Sequence, residues 1–295
     1  MSANTSGNMN GVAASSGLLV SALRRSLVTV AWSVRRLTRP VGHGQGFPWP
    51  RAFPWQHEPK RLAIAAAIVA ATMLFGMMFV DAPVSTAVGQ LPRWLVHFFD
   101  VITDFGKSGW VLWPLGLLFL AVGALPYDRL TPMSQRVFAA VVVRAGFLFV
   151  AIGAPGLFVT IVKRFIGRAR PFVTGIADPF VFDPTKWTAA YAGLPSGHAT
   201  TGFSVLVAFG CLWPRARTAL LIYALLIAAS RIVVRAHYPT DVAAGALVGI
   251  VGVLLVRRWF ALQNLGFSIK ADGHLRQYPG PSVRRIKSVA RELLA

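Results

Sequence analysis

The sequence predicts an all-α integral membrane protein, a bundle of six transmembrane helices with its functional face on the external, periplasmic side. Three observations carry this prediction. The first is composition: 55% of the 295 residues are apolar and only 14% are charged, against roughly 45–50% and about 25% in soluble domains. The mean hydropathy is +0.58. The second is patterning, because the apolar residues fall into six long blocks, at about 62–80, 110–125, 138–162, 197–213, 216–233 and 242–256. The third is the placement of the net charge of +20. The basic residues cluster at the two ends and in the short connections, as membrane topology and anionic lipid require. No nucleic-acid-binding motif accompanies them, so no nucleic acid is expected as a partner.

Taken in chain order, residues 1–17 are small and polar and cannot build a core, which predicts a disordered N-terminus. Residues 18–39 mix apolar residues with Arg24, Arg25, Arg35 and Arg36. The apolar run between the arginine pairs is too short to span and no small-residue cleavage site follows. It predicts a basic interfacial helix rather than a signal peptide. Residues 40–59 form a Pro/Gly-rich linker, residues 60–260 the six-span domain, and residues 261–295 a basic cytoplasmic tail. A span needs about 20 residues, with a range of roughly 17–25. The first and third blocks exceed that; the second, fourth and sixth reach it only by extending into polar flanks. Residues 93–106 (RWLVHFFDVITDFG) suit an amphipathic helix at the membrane surface, with His97 an interfacial residue. The single cysteine, Cys211, lies in an apolar run, which excludes an intrachain disulfide and any cysteine metal cluster.

Charge sets the orientation. With six spans both termini share one side, and Arg51, Lys60 and Arg61 before the first span, with the basic tail after the last, place that side in the cytoplasm of a cell with an inner membrane. Arg129, Arg136, Arg215 and Arg217 fall in the cytoplasmic loops, and Arg144 snorkels to the same side. The external side then carries seven positive charges: Lys163, Arg164, Arg168, Arg170, Lys186, Arg231 and Arg235. Charge near the bilayer is costly and usually marks function. An external anion-binding pocket would account for it.

Three clusters lie on that face: Lys163 to Arg170-Pro171 (KRFIGRARP), Pro195-Ser196-Gly197-His198, and Ser230-Arg231 through His237 to Asp241 (SRIVVRAHYPTD). Arginine forks bind phosphate oxygens bidentately and lysine adds a point charge, so Lys163, Arg170 and Arg231 form a phosphate cradle. Ser196 suits the N-cap of the fourth helix and Gly197 permits close backbone approach, adding N–H donors and the positive helix end. His237 and Asp241 are four residues apart. The carboxylate can accept a hydrogen bond from one ring nitrogen and leave the other free to attack, making His237 a nucleophile. His198, on another helix, is then available as general acid for the leaving oxygen. Arg164, Arg168 and Arg235 are open between a second phosphate or headgroup and anionic lipid. Lys186 and Trp187 suit the aromatic belt.

The ordered pattern Lys163-x6-Arg170-Pro171, Pro195-Ser196-Gly197-His198 and Ser230-Arg231-x5-His237-x3-Asp241 resembles the three-part signature of the type 2 phosphatidic acid phosphatase family, which also includes vanadium-dependent haloperoxidases. The resemblance covers about residues 60–260. It implies a six-helix membrane lipid phosphatase, independent of metal or other cofactor, that works through a phosphohistidine. By position, His237 is then the nucleophile, Asp241 its orienting partner and His198 the acid, with Lys163, Arg170, Ser196, Gly197 and Arg231 holding the phosphate. The expected partners are a phosphorylated membrane lipid at the site and anionic lipids at the two basic ends. A lipid phosphotransferase would use the same residues, whereas a non-catalytic lipid transporter would not need His237 and Asp241 together. Six spans disfavour a haloperoxidase.

Overall fold

A computed structural model describes residues 20, 21, 23–32, 35, 58–125, 127–270 and 273–294. The predicted disordered residues 1–17 and nearly all of the linker lie outside the described residues. The described chain is mostly helical, with one small hairpin near its end and a long, largely irregular connection at residues 167–196. Its helices are α1 (Pro59–Phe79), the short α2 (Asp81–Ala87), α3 (Arg93–Asp104), α4 (Gly109–Ala124), α5 (Pro132–Ile166), α6 (Gly197–Leu212), α7 (Arg217–Val233), α8 (Pro239–Leu262) and α9 (Val283–Leu294). Helices α1 and α4–α8 fall on the six predicted apolar blocks.

Among the described residues, five stretches are long and apolar enough to cross a membrane: Pro59–Phe79, Arg93–Gly123, Pro132–Ile166, Pro214–Val233 and Pro239–Leu262. The second takes in α3, so the segment predicted as a separate surface helix is continuous in apolar character with α4. Helix α6 has 16 residues, or about 24 Å of rise, short of the roughly 30 Å hydrocarbon core. Its limits have local causes. Pro195-Ser196 precede it, and Trp213 leaves the helical region (φ −129°, ψ 80°) ahead of Pro214, as the residue before a proline does.

The chain forms two compact units. One comprises residues 113–146 and 260–295 with the N-terminal 43 residues. Where described, residues 20–32 are helical. The Ser26 hydroxyl donates to the Phe119 carbonyl (2.6 Å), and Val122, Leu130, Val137, Phe138, Val142 and Val289 make the core. The predicted basic tail is folded here. Strands β1 (Phe267–Ile269) and β2 (Leu275–Gln277) pair antiparallel with Ser268 opposite Arg276. Helix α9 buries Val289 and shows Arg284, Arg285 and Lys287 to the outside. Arg144, predicted to snorkel, donates to the carbonyls of Tyr278 (2.9 Å) and Pro279 (3.1 Å).

The other unit comprises residues 44–112 and 147–259. Helix α7 packs against α6 and α3, and α6 lies on α8 at very short range. A Cβ on Gly245 would stand 2.4 Å from the Ser196 carbonyl oxygen, and one on Gly249 2.6 Å from that of Thr200. Small residues four apart allow such backbone approach in membrane helices. The Thr200 hydroxyl completes the contact by donating to the Gly245 carbonyl (3.0 Å). This seam places the start of α6 against the start of α8.

Candidate active site

All eight residues singled out by the sequence lie at helix ends or connections of this second unit. Lys163 stands in the last turn of α5. The chain then turns at Gly167, where φ is +62° and an added Cβ would stand 2.3 Å from the Asp183 carbonyl oxygen, which leaves no room for a side chain. The turn is pinned by backbone bonds, Ala169 N–H to Val181 O (2.9 Å), Arg170 N–H to Ala190 O (2.8 Å) and Gly193 N–H to Arg168 O (2.9 Å). Ser196 occupies the N-cap position of α6, Arg231 the last turn of α7, and Asp241 the first turn of α8. The Ser196 N–H donates to the Asp241 carbonyl at 2.9 Å, which joins the second cluster to the third.

Asp241 is fully buried. Its Oδ1 accepts from Arg168 Nη1 (2.6 Å) and its Oδ2 from the Tyr238 N–H (2.9 Å). His237 Nδ1 lies 3.6 Å from Oδ2, within ion-pair reach but outside hydrogen-bond distance. The ring nitrogen thus faces Oδ2 just beyond hydrogen-bond length, while Arg168 and a backbone N–H hold the carboxylate in place. His237 is 3% exposed. Burial pushes its imidazole below the usual histidine range; the nearby Asp241 carboxylate opposes the shift, and Arg231 and Arg170 reinforce it. The Tyr238 hydroxyl is pushed up to about 12, chiefly by burial.

Four of the eight residues keep a buried polar atom without a hydrogen-bond partner: Arg170 Nε, Ser196 Oγ, Arg231 Nε and His237 Nδ1. Buried polar groups are almost always paired, so the atoms on Arg170, Ser196 and Arg231 are placed as hydrogen-bonding partners for a polar ligand. Ser196 occupies the predicted cap, yet its hydroxyl caps nothing. Arg231 is held by donating from Nη1 to the Thr103 hydroxyl (2.5 Å). His198 is partly buried, with the cations Arg231, Lys107 and Arg170 and the imidazole of His237 as its neighbours. Beside it opens a cavity of about 410 Å³, lined by Gly197, His198 and Thr201 together with the 106–109 turn and the 152–160 face of α5. That volume suits a small-molecule or headgroup pocket. A carbon added to Gly197 would meet nothing within 4 Å. Among the described residues no group of three or more His, Cys, Asp or Glu side chains converges as a metal site.

The cations that the sequence left unassigned all have protein partners. Arg168, left open between phosphate and lipid, does neither: it is fully buried against Asp81, Asp241 and Thr240. Arg164 donates to the Trp187 carbonyl (2.7 Å), Arg235 lies 5.0 Å over the Phe172 ring, and Lys186 pairs with Asp183 and Tyr191. Sequence reasoning missed Asp81, Thr103, Lys107 and Thr240. Asp81 did leave a signal, a carboxylate directly after an apolar block, which needs a partner when buried. Thr103 left none.

Residues 144–265, which contain all eight site positions, match the family model of the PAP2 superfamily. A lipid A 1-phosphatase of Rhizobium johnstonii is 33% identical over 216 residues, covering 73% of this chain and 87% of that protein. A lipid A 1-phosphatase of Rhizobium etli is 33% identical over 216 residues, covering 73% and 92%. The crystal structure of Aquifex aeolicus LpxE shares 23% identity at a TM-score of 0.44, over 60% of this chain and 94% of that one. The chain belongs to the PAP2 superfamily, the type 2 phosphatidic acid phosphatases, and is a membrane phosphatase of lipid phosphate esters.

Proposed function

We propose that the protein removes a phosphate from lipid A or a close structural equivalent, at the periplasmic face of the inner membrane and through a phosphohistidine on His237. The observation that carries this reading is the set of unpartnered buried atoms on Arg170, Ser196, Arg231 and His237, drawn from three separate segments. Two guanidinium N–H groups and a hydroxyl suit the oxygens of a phosphate. The neutral imidazole supplies the attacking Nε2 while Nδ1 faces Asp241. In the first step the Nε2–P bond forms and the P–O bond to the lipid breaks, with His198 giving its proton to the departing oxygen. In the second, water attacks phosphorus, His198 takes a proton, and phosphate leaves as His237 is regenerated. Lys163, Arg170 and Arg231 neutralise the charge spread over the phosphoryl oxygens, and Gly197 and the start of α6 add backbone donors. The names of the Rhizobium relatives support the choice of lipid A.

The topology that serves this chemistry has six spans, α6 crossing with its polar flanks, and both termini in the cytoplasm. The outward face of α9, with Arg284, Arg285 and Lys287, then meets anionic lipid, each cation contributing about 1 kcal/mol. The test is phosphate release by the purified protein in detergent from lipid A, phosphatidate, phosphatidylglycerophosphate and undecaprenyl pyrophosphate. The expected result is preference for lipid A, persistence in chelator, and loss in both His198→Ala and His237→Ala. Strict dependence on a divalent metal, or activity in His237→Ala, would overturn the mechanism.

A further inference from the structure

We propose that Arg168, held by Asp81, is a positioning residue that fixes the Asp241 carboxylate toward His237; this rests on His237 being the nucleophile. Arg168 is 0% exposed and four of its five N–H donors bond to protein. Nε donates to the Pro179 carbonyl (3.0 Å), Nη1 to Thr240 Oγ1 (2.8 Å) and Asp241 Oδ1 (2.6 Å), and Nη2 to Asp81 Oδ2 (2.8 Å). The Tyr238 ring covers the guanidinium at 4.7 Å. The remaining Nη2 N–H is sealed from solvent with the rest of the side chain, so the residue does not reach a substrate and acts through Asp241. Asp81 is equally buried, and both of its oxygens also accept from Thr240, Oδ1 from the N–H (3.0 Å) and Oδ2 from the hydroxyl (2.5 Å). Thr240 immediately precedes Asp241, so the same bonds fix the backbone that carries the carboxylate.

Two consequences follow for catalysis. With Oδ1 held by Arg168 and Oδ2 by the Tyr238 N–H, the carboxylate plane cannot rotate, and Oδ2 stays directed at His237 Nδ1. The second consequence is charge. Two carboxylates share one guanidinium, so the cluster carries one uncompensated negative charge beside a neutral imidazole. When Nε2 bonds to phosphorus with a proton on Nδ1, the ring becomes cationic and the cluster is neutralised. The interaction is therefore stronger in the phosphorylated form and its transition state than in the resting enzyme, which is the condition for acceleration. A single Asp241–Arg168 pair without Asp81 would be neutral already and would offer the ring no such balance.

The groups facing His237 are Asp241 from α8, Arg231 from α7, Arg170 from the connection after α5, and His198 from α6. Removing the Asp81 charge leaves Arg168 to neutralise Asp241 alone, so the imidazole binds its proton less tightly. Asp81→Asn, assayed with lipid A in detergent, is expected to lower kcat by about tenfold or more, to leave KM unchanged, and to move the acid limb of kcat/KM to lower pH. Thr240→Val deletes only the hydroxyl between Arg168 and Asp81; it is expected to change the same quantities less, and serves if Asp81→Asn does not fold. Arg168→Lys keeps the charge but not the fork, and is expected to hold the acid limb near wild type while kcat falls. A folded Asp81→Asn with wild-type kcat, with an unmoved acid limb, or with its loss confined to KM overturns the proposal; for Thr240→Val the same outcomes do so. His237→Ala in the same assay separates the two ideas, since activity there removes the nucleophile reading itself.

Discussion

Replacing Gly245 by alanine tests how tightly the α6–α8 seam governs the chemistry. The added carbon would lie 2.4 Å from the Ser196 carbonyl oxygen and 3.2 Å from Ala199 Cβ, whereas ordinary contacts begin at 3.4 Å. The obstacle is backbone, so the start of α6 must retreat by about 1 Å, a displacement that can cost about 100-fold in rate when it misplaces catalytic groups. That retreat stretches the Ser196 N–H bond to the Asp241 carbonyl, 2.9 Å at present, and moves Ser196 and His198 away from His237. Overpacking of this kind costs about 1–3 kcal/mol of stability. Gly245→Ala should therefore fold, melt somewhat earlier in detergent, and hydrolyse lipid A with kcat/KM reduced by about 100-fold. Gly197→Ala is the stability control, because its added carbon meets nothing within 4 Å. A folded Gly245→Ala enzyme with wild-type kcat/KM would show that this seam does not set the spacing of the two histidines.

Two further outcomes are expected. In the proposed mechanism the attacking form of His237 is the neutral imidazole, and burial holds its proton affinity below the usual value of about 6.5. Activity is thus retained as pH falls past the ordinary histidine range and lost only through the lowered value. An acid limb of kcat/KM with its midpoint above about 6.5 would contradict this. Thr103→Val removes the acceptor that holds Arg231 Nη1 at 2.5 Å. A hydrogen bond to a charged group is worth about 1.5–3 kcal/mol, so kcat/KM should fall by about 10- to 100-fold; unchanged kinetics would remove Thr103 from the site.

The parts of this protein that were legible in the sequence are those written locally. Helices α1 and α4–α8 follow from uninterrupted apolar runs, and the three clusters are short contiguous strings whose residue types already state a phosphate chemistry. The Asp81–Arg168–Asp241 cluster was not legible because its members lie far apart in the chain and no local periodicity joins Asp81 to Thr240. Arg168 looked like one more external cation until its carboxylates were placed. The His237–Asp241 pair was legible from its four-residue spacing, and α8 begins between the two, at Pro239. The fold of the basic tail was not legible for a related reason. Its basic residues dominate the composition, while the few that build structure, such as Val289 and the β1–β2 pair, are sparse.

The central claim is covalent: phosphate passes from lipid to His237 Nε2. Its most direct test is rapid quenching of the enzyme with radiolabelled lipid A 1-phosphate, followed by mapping of the label. The account predicts a base-stable, acid-labile phosphate on His237 that accumulates when the second step is slowed and is absent in His237→Ala. Turnover with no labelled protein at any time, or label that persists in His237→Ala, would contradict it.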